Sequence, residues 1–245
     1  MNVSLYQAAA AMNAHARWQD MIAQNLASAS VPGYRKHDIS FQAVQAGTIP
    51  GSTPNPVYVP AGMDSINFSQ GALRPTNGPT DFALQGPGFF EVQLPNGSHA
   101  FTRDGEFQFD AQGQLVTKQG YLVISAAGPL QMDHNNASPM SVSATGEVSQ
   151  AGVAKGRLRM VEFNDPSKLT AIGEGLFLAD QPGALAADST STQVRQGYLE
   201  VANTTPTGEM ANLITSLRMF ESNQKVMQVQ DDRLGRVISE LGAAT

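Results

Sequence analysis

The 245-residue chain carries 15 lysines and arginines against 21 aspartates and glutamates, a formal net charge of −6, and no cysteine. That balance excludes a general attraction to nucleic acid or anionic lipid. The missing thiol excludes a disulfide framework, a thiolate metal site and a cysteine nucleophile.

The first 20 residues, MNVSLYQAAAAMNAHARWQD, hold no basic start, no continuous apolar block and no clear cleavage site. Neither a cleaved signal peptide nor, in the absence of an apolar run of about 18 residues, a membrane span is expected. Leu5, Ala9, Met12, Ala16, Gln19, Ala23 and Leu26 recur in steps of four and three, which predicts a helix with a narrow, alanine-rich stripe. Such a stripe permits close helix approach but buries little area, so the helix needs a partner. The stretch QNLASASVPGYRK, residues 24–36, ends it: Pro32 drives Val31 toward extended backbone, and Gly33 can take positive φ.

Residues 42–65 are dense in Gly, Pro, Ser and Thr and read as an extended arm with no ladder of its own. Residues 66–195 change texture to short apolar runs broken at close intervals, which predicts an all-β domain. Asn96-Gly97 and Asp104-Gly105 are its hairpin signals, and Gly113 and Gly120 end the next two runs. A return segment, 196–208, leads to a second helix, with Thr205 placed to cap it, Pro206 at its first position and Glu209 in its first turn. There Met210, Leu213, Leu217, Phe220, Gln224, Met227, Asp231, Leu234, Ile238 and Leu241 step by three and four, a heptad seam over 209–245. The expected fold is α+β: long N- and C-terminal helices, the first with its turn spanning 1–41, pairing as a coiled-coil-like core, with the central all-β domain inserted between them. Gln224 and Asp231 are awkward on a buried seam, where polar residues set register or face a second molecule.

Reactive chemistry is sparse. His15, His37, His99 and His134 fall in separate segments without a second ligand at metal spacing. Gly86-Pro87-Gly88 and Gly173-Glu174-Gly175 lack the third glycine and following helix of a phosphate-binding turn. No Gly-x-Ser-x-Gly elbow occurs. Lys155, Arg157 and Arg159 alternate with Gly156, Leu158 and Met160, which would set three cations on one strand face, a solvated surface or subunit contact in an acidic chain. Met210, Met219 and Met227 serve packing or an adaptable groove. No catalytic, cofactor or metal site is expected. A soluble adaptor with an internal helical hairpin, or an enzyme built on the β domain, remain the competing readings of the residues alone.

Three motifs, in order, resemble the axial proteins of the bacterial flagellum, the rod and hook subunits. The first is Asn25-Leu26-Ala27 followed by Gly33-Tyr34-Arg35; the second is LQGPGFFEV with AFTRDGEFQFDAQGQLVTKQGYLV; the third is QGYLEVAN at 196–203 with Glu209, Met210, Leu213, Ile214, Arg218, Phe220, Glu221, Asn223 and Lys225. Ser28, Ala202 and Thr204 depart from the family pattern. Pro32, the short arm and the lack of large insertions are more similar to proximal-rod members than to distal-rod or hook members. The resemblance implies a structural subunit, exported by the flagellar type III apparatus, that polymerises in the periplasm through its terminal helices with copies of itself and neighbouring rod proteins. It further implies bushing rings around the rod as partners, and transmission of motor torque. The implied assembly interface comprises Leu5, Met12, Asn25, Leu26, Gly33 and Tyr34 at one end, and Met210, Leu213, Leu217, Phe220, Gln224, Met227, Leu234 and Ile238 at the other.

Overall fold

The computed structural model describes residues 3–49, 55–126, 128–133, 139–184 and 186–243. The chain divides into two compact units. One comprises the segment ending at Ala27, His37–Asn67, and the chain from Thr205 onward; the other comprises Ser28–Lys36 and Phe68–Thr204.

The first unit holds both helices, α1 (Val3–Ala27) and α2 (Pro206–Ala243), with strands β1 (His37–Ile49) and β2 (Asn55–Ile66). Contrary to the expectation of an arm without a ladder, β1 and β2 pair antiparallel from His37↔Ile66 to Ile49↔Asn55, with a register shift between Gln45 and Gly47. Pro56 and Pro60 are tolerated because a two-stranded ribbon has an open hydrogen-bonding edge on each strand.

The coiled-coil-like core is also corrected. The helices pair, but α1 packs on β1 and β2 as well as on α2, so α1 is shared between a helix and a ribbon. Ala8, Ala14, Met21 and Ile22 are its buried apolar residues. On α2 the partly covered stripe is Leu213, Ser216, Phe220, Asn223, Met227 and Gln230, a heptad rotated from the expected one. The expected seam members Met210, Leu217, Gln224, Asp231, Leu234 and Ile238 are exposed. Small Ser216 sits inside because the alanine-rich helix comes close: its Oγ donates to the His15 carbonyl at 3.3 Å. Length also limits the pairing, since 25 residues of α1 cannot cover 38 of α2, a difference of about 20 Å at the α-helical rise.

The second unit is β-rich. Its strands begin with β3 (Leu73–Pro75), β4 (Phe82–Gln85), β5 (Phe89–Gln93), β6 (His99–Thr102), β7 (Phe107–Phe109), β8 (Leu115–Thr117) and β9 (Leu122–Ser125). The main sheet runs Thr170–Gly173, Leu176–Leu178, β6, β5, β9, β8, β7, and Met160–Phe163 also pairs with β5. The strand Gln193–Gln196 pairs with β4, and Tyr198–Glu200 with β3. Phe82, Leu84, Phe90, Val92, Leu115 and Val123 are core residues at 0–1% exposure. Asn96-Gly97 does turn the β5–β6 hairpin. Asp104-Gly105 does not form one: β6 pairs with β5 and Leu176–Leu178, while β7 pairs with β8. Instead Gly105 accepts the Phe82 N–H through its carbonyl at 3.0 Å, in a close approach of two backbones.

Candidate assembly surface

In the first unit, the Asn25 side chain does the work of a neighbouring strand. Its Nδ2 donates to the His37 carbonyl and its Oδ1 accepts the His37 N–H, both at 2.8 Å, so the start of β1 is hydrogen-bonded by the last turn of α1. His15, Trp18 and Phe41 cluster with ring centroids 5.3–6.1 Å apart, and burial lowers the pKa of His15. Gly62 lies beside them, and a Cβ there would meet the tip of the Ile39 side chain, Cδ1, at 2.4 Å. Ala10, Ala14, Ala61 and Gly62, together with Asn13, Arg17 and Asp20, line a shallow groove between α1 and β2.

Of the residues placed at the interface by sequence, Leu5, Met12, Leu26, Leu213, Phe220 and Met227 are half-buried. Met210, Leu217, Gln224, Leu234 and Ile238 are exposed, and Ile214, Val226, Val229 and Val237 join them. From 231 to 240 every residue of α2 is exposed, and among the charged residues of this stretch Leu234, Val237 and Ile238 stand uncovered.

Gly33 and Tyr34, the remaining two, are buried in the second unit, around a charge cluster that sequence reasoning left unassembled. Arg35, Arg103 and Glu200 are 1%, 3% and 0% exposed. Arg35 Nη1 meets Glu200 Oε1 at 2.6 Å, and Arg103 Nη1 meets Oε2 at 3.3 Å. The Gly71 N–H donates to Glu200 Oε1 at 2.8 Å, Arg35 donates to the Ser69 carbonyl and Arg103 to the Gly86 carbonyl. The Arg103 guanidinium lies 4.9 Å from the Phe89 ring centroid, a cation–π contact. Burial lowers the Arg103 pKa to about 10 against the opposing pull of Glu200. Backbone bonds tie the same place together: Gly33 N–H to the Glu200 carbonyl at 2.7 Å, and Asn203 N–H to the Tyr34 carbonyl at 3.3 Å. The Lys36 N–H donates to Asn203 Oδ1 at 2.7 Å. The inbound segment 28–36 and the outbound segment 200–204 are therefore clasped to each other. The available signal was a glutamate flanked by Leu199 and Val201 in the second unit's last strand, and arginines after Tyr34 and Thr102.

Beside the clasp, burial pushes the Asp104 carboxyl up from 3.8 to about 6, opposed by the Glu106 N–H. A carboxyl whose folded pKa exceeds its unfolded one opposes folding while ionised, and that opposition disappears on protonation. The second unit should thus gain stability as pH falls through about 6, with the gain complete near 3.8. Urea melts across this window should show Asp104→Asn lacking that gain relative to the unsubstituted chain, because Asn retains the Oδ1 acceptor; parallel curves would refute it.

The other sequence candidates disperse. His99 Nδ1 pairs with Glu91 at 2.6 Å, and His134 lies outside the described residues. Arg159 Nε reaches Glu91 and Asp188 at 3.2 and 3.3 Å, whereas Lys155 and Arg157 lie on Val153–Arg157, whose pairing shifts register between Val148 and Ser149. The three cations do not act as one patch.

Residues 83–150 match the family described as "Flagellar hook protein FlgE/F/G D1 domain", and residues 195–240 the one described as "Flagellar basal body rod FlgEFG protein C-terminal". Among individual relatives, the flagellar basal-body rod protein FlgG of Buchnera aphidicola subsp. Schizaphis graminum is 33% identical over 238 residues, covering 89% of this chain and 92% of the relative. FlgF of Rhizobium meliloti is 32% identical over 247 residues and covers 100% of both chains. FlgF of Escherichia coli K12 is 32% identical over 250 residues, with 96% and 97% coverage. These matches span the clasp, the β-rich unit and both helices, and on them the chain belongs to the flagellar basal-body rod protein family.

Proposed function

We propose that this chain is a structural subunit of the flagellar rod that polymerises through its terminal helices and passes torque through many modest contacts in parallel. The observation that carries this reading is the exposure of Leu234, Val237 and Ile238 on the last turns of α2, a helix longer than the α1 it pairs with. A neighbouring subunit that covers them adds the burial that one chain leaves unfinished, and head-to-tail contacts of this kind extend without closing. We favour the proximal-rod assignment, on Pro32, the short arm and the lack of large insertions; the relatives include both FlgF and FlgG proteins at comparable identity and coverage. Location in the periplasm, passage through the type III export apparatus and contact with bushing rings belong to the same proposal.

Leu217 and Leu234 are 45% and 43% exposed, so Asp in either place costs the isolated chain within about 0.5 kcal/mol. Leu217→Asp and Leu234→Asp should nevertheless prevent incorporation into rods and abolish motility, while urea melts of the soluble chain stay unchanged. Normal rods from both variants would eliminate the proposed interface.

A further inference from the structure

We infer that Asn96 is a self-modification site, at which the chain converts an asparagine to aspartate and isoaspartate without an enzyme, and that the fold directs this chemistry to Asn96 and away from Asn77. Both asparagines precede glycine, and in an unstructured chain both glycine amides can attack the side-chain carbonyl unhindered. In the folded chain they differ. Asn96 and Gly97 are exposed at the tip of the β5–β6 hairpin, and the Ser98 N–H donates to Asn96 Oδ1 at 2.9 Å. Oδ1 is the atom that gains negative charge when the Gly97 nitrogen adds to Cγ, so this donor stabilises the tetrahedral intermediate in the manner of an oxyanion hole. The Leu94 N–H bond to the Ser98 carbonyl and the Gly97 N–H bond to the Leu94 carbonyl, both at 2.9 Å, close the turn, and the second must break in this solvent-exposed tip.

Asn77 has the opposite surroundings. Pro79 follows Asn77-Gly78, and proline has no N–H to offer Oδ1. Asn77 is fixed at φ 58°, its own N–H bound to the Gly197 carbonyl at 3.1 Å. The Asp81 carboxylate lies so close to Gly78 that a Cβ there would meet its Oδ2 at 2.4 Å, and that negative charge opposes loss of the Gly78 amide proton.

Solvent hydroxide takes the Gly97 amide proton, the nitrogen bonds to Asn96 Cγ, and the bond from Cγ to the side-chain nitrogen breaks with release of ammonia. Water then opens the resulting succinimide at either carbonyl, giving aspartate or isoaspartate. The new carboxylate stands at the rim of a groove lined by Leu94, Pro95, Tyr121, Ile172, Glu174 and Leu176, where it adds a second negative charge beside Glu174.

The test is to age the full chain at mildly alkaline pH, folded and in parallel in urea, and to quantify conversion at each asparagine by peptide mapping with enzymatic methylation of isoaspartate. Equal rates in urea and a lead of about tenfold or more for Asn96 in the folded chain are expected, the worth of one charge-stabilising hydrogen bond in the transition state. Equal folded rates, a lead for Asn77, arrest of both sites on folding, or the same lead for Asn96 in urea would each overturn the inference.

Discussion

Glu200→Ala should lower the stability of the β-rich unit by about 3–5 kcal/mol, the cost of leaving a buried charge without its counterion. Two guanidiniums share this one carboxylate. Among the described residues Arg35 Nε and Nη2 have no partner, so Glu200 supplies most of the compensation at Arg35. Arg103 is better insured by the Gly86 carbonyl and the Phe89 ring. Arg35→Met should therefore cost less than Glu200→Ala, and the two changes combined should cost less than their sum, because removing Arg35 removes the charge that Glu200 neutralises. Urea denaturation of the three variants measures this directly. A loss below about 1 kcal/mol for Glu200→Ala, the range of exposed ion pairs, would mean that the cluster is solvated in solution.

Gly33→Ala should be nearly as damaging, for a steric reason. Gly33 has φ +67°, and a Cβ on it would meet the backbone of Arg103 at 2.3–2.5 Å. The conformation alone costs about 1–2 kcal/mol for a residue with a Cβ, and overpacking against backbone adds about 1–3 kcal/mol. Gly120→Ala is the matched control: its φ is +89°, with nothing within 4 Å of the added carbon. Gly120→Ala should show the conformational cost alone, and Gly33→Ala about twice as much or more. Equal melting shifts for the two would show that the Arg103–Asp104 backbone behind Gly33 yields.

These residues also show what the sequence discloses. Local signals were legible: the Asn96-Gly97 turn, the helix end before Pro32, and the start of α2 at Pro206. The ladder between β1 and β2 was hidden because its prolines and glycines imitate a linker, and only the partner strand shows that they fall at a tolerant ribbon. The seam of α2 was misplaced by one flank, since apolar periodicity marks where large side chains are and not which neighbour covers them. Ser216 faces α1 because it is small, and Leu217 faces outward. The clasp was illegible for a simpler reason: no periodicity links residues that lie far apart in the chain, and Arg35 and Glu200 are separated by 165 positions.

That separation has a kinetic side. Closing a loop of 165 residues carries an entropic cost of about 4–5 kcal/mol beyond its constant part, so the clasp forms only after the intervening hairpins have shortened the path. Whatever the order in which the chain emerges, its early segment 28–36 waits for Glu200. The clasp should then act after the rate-limiting step and as a brake on opening, so that Arg35→Met leaves the refolding limb of a chevron in place and speeds the unfolding limb by most of the lost stability. A subunit so built can fold as fast as its local hairpins permit and yet come apart slowly.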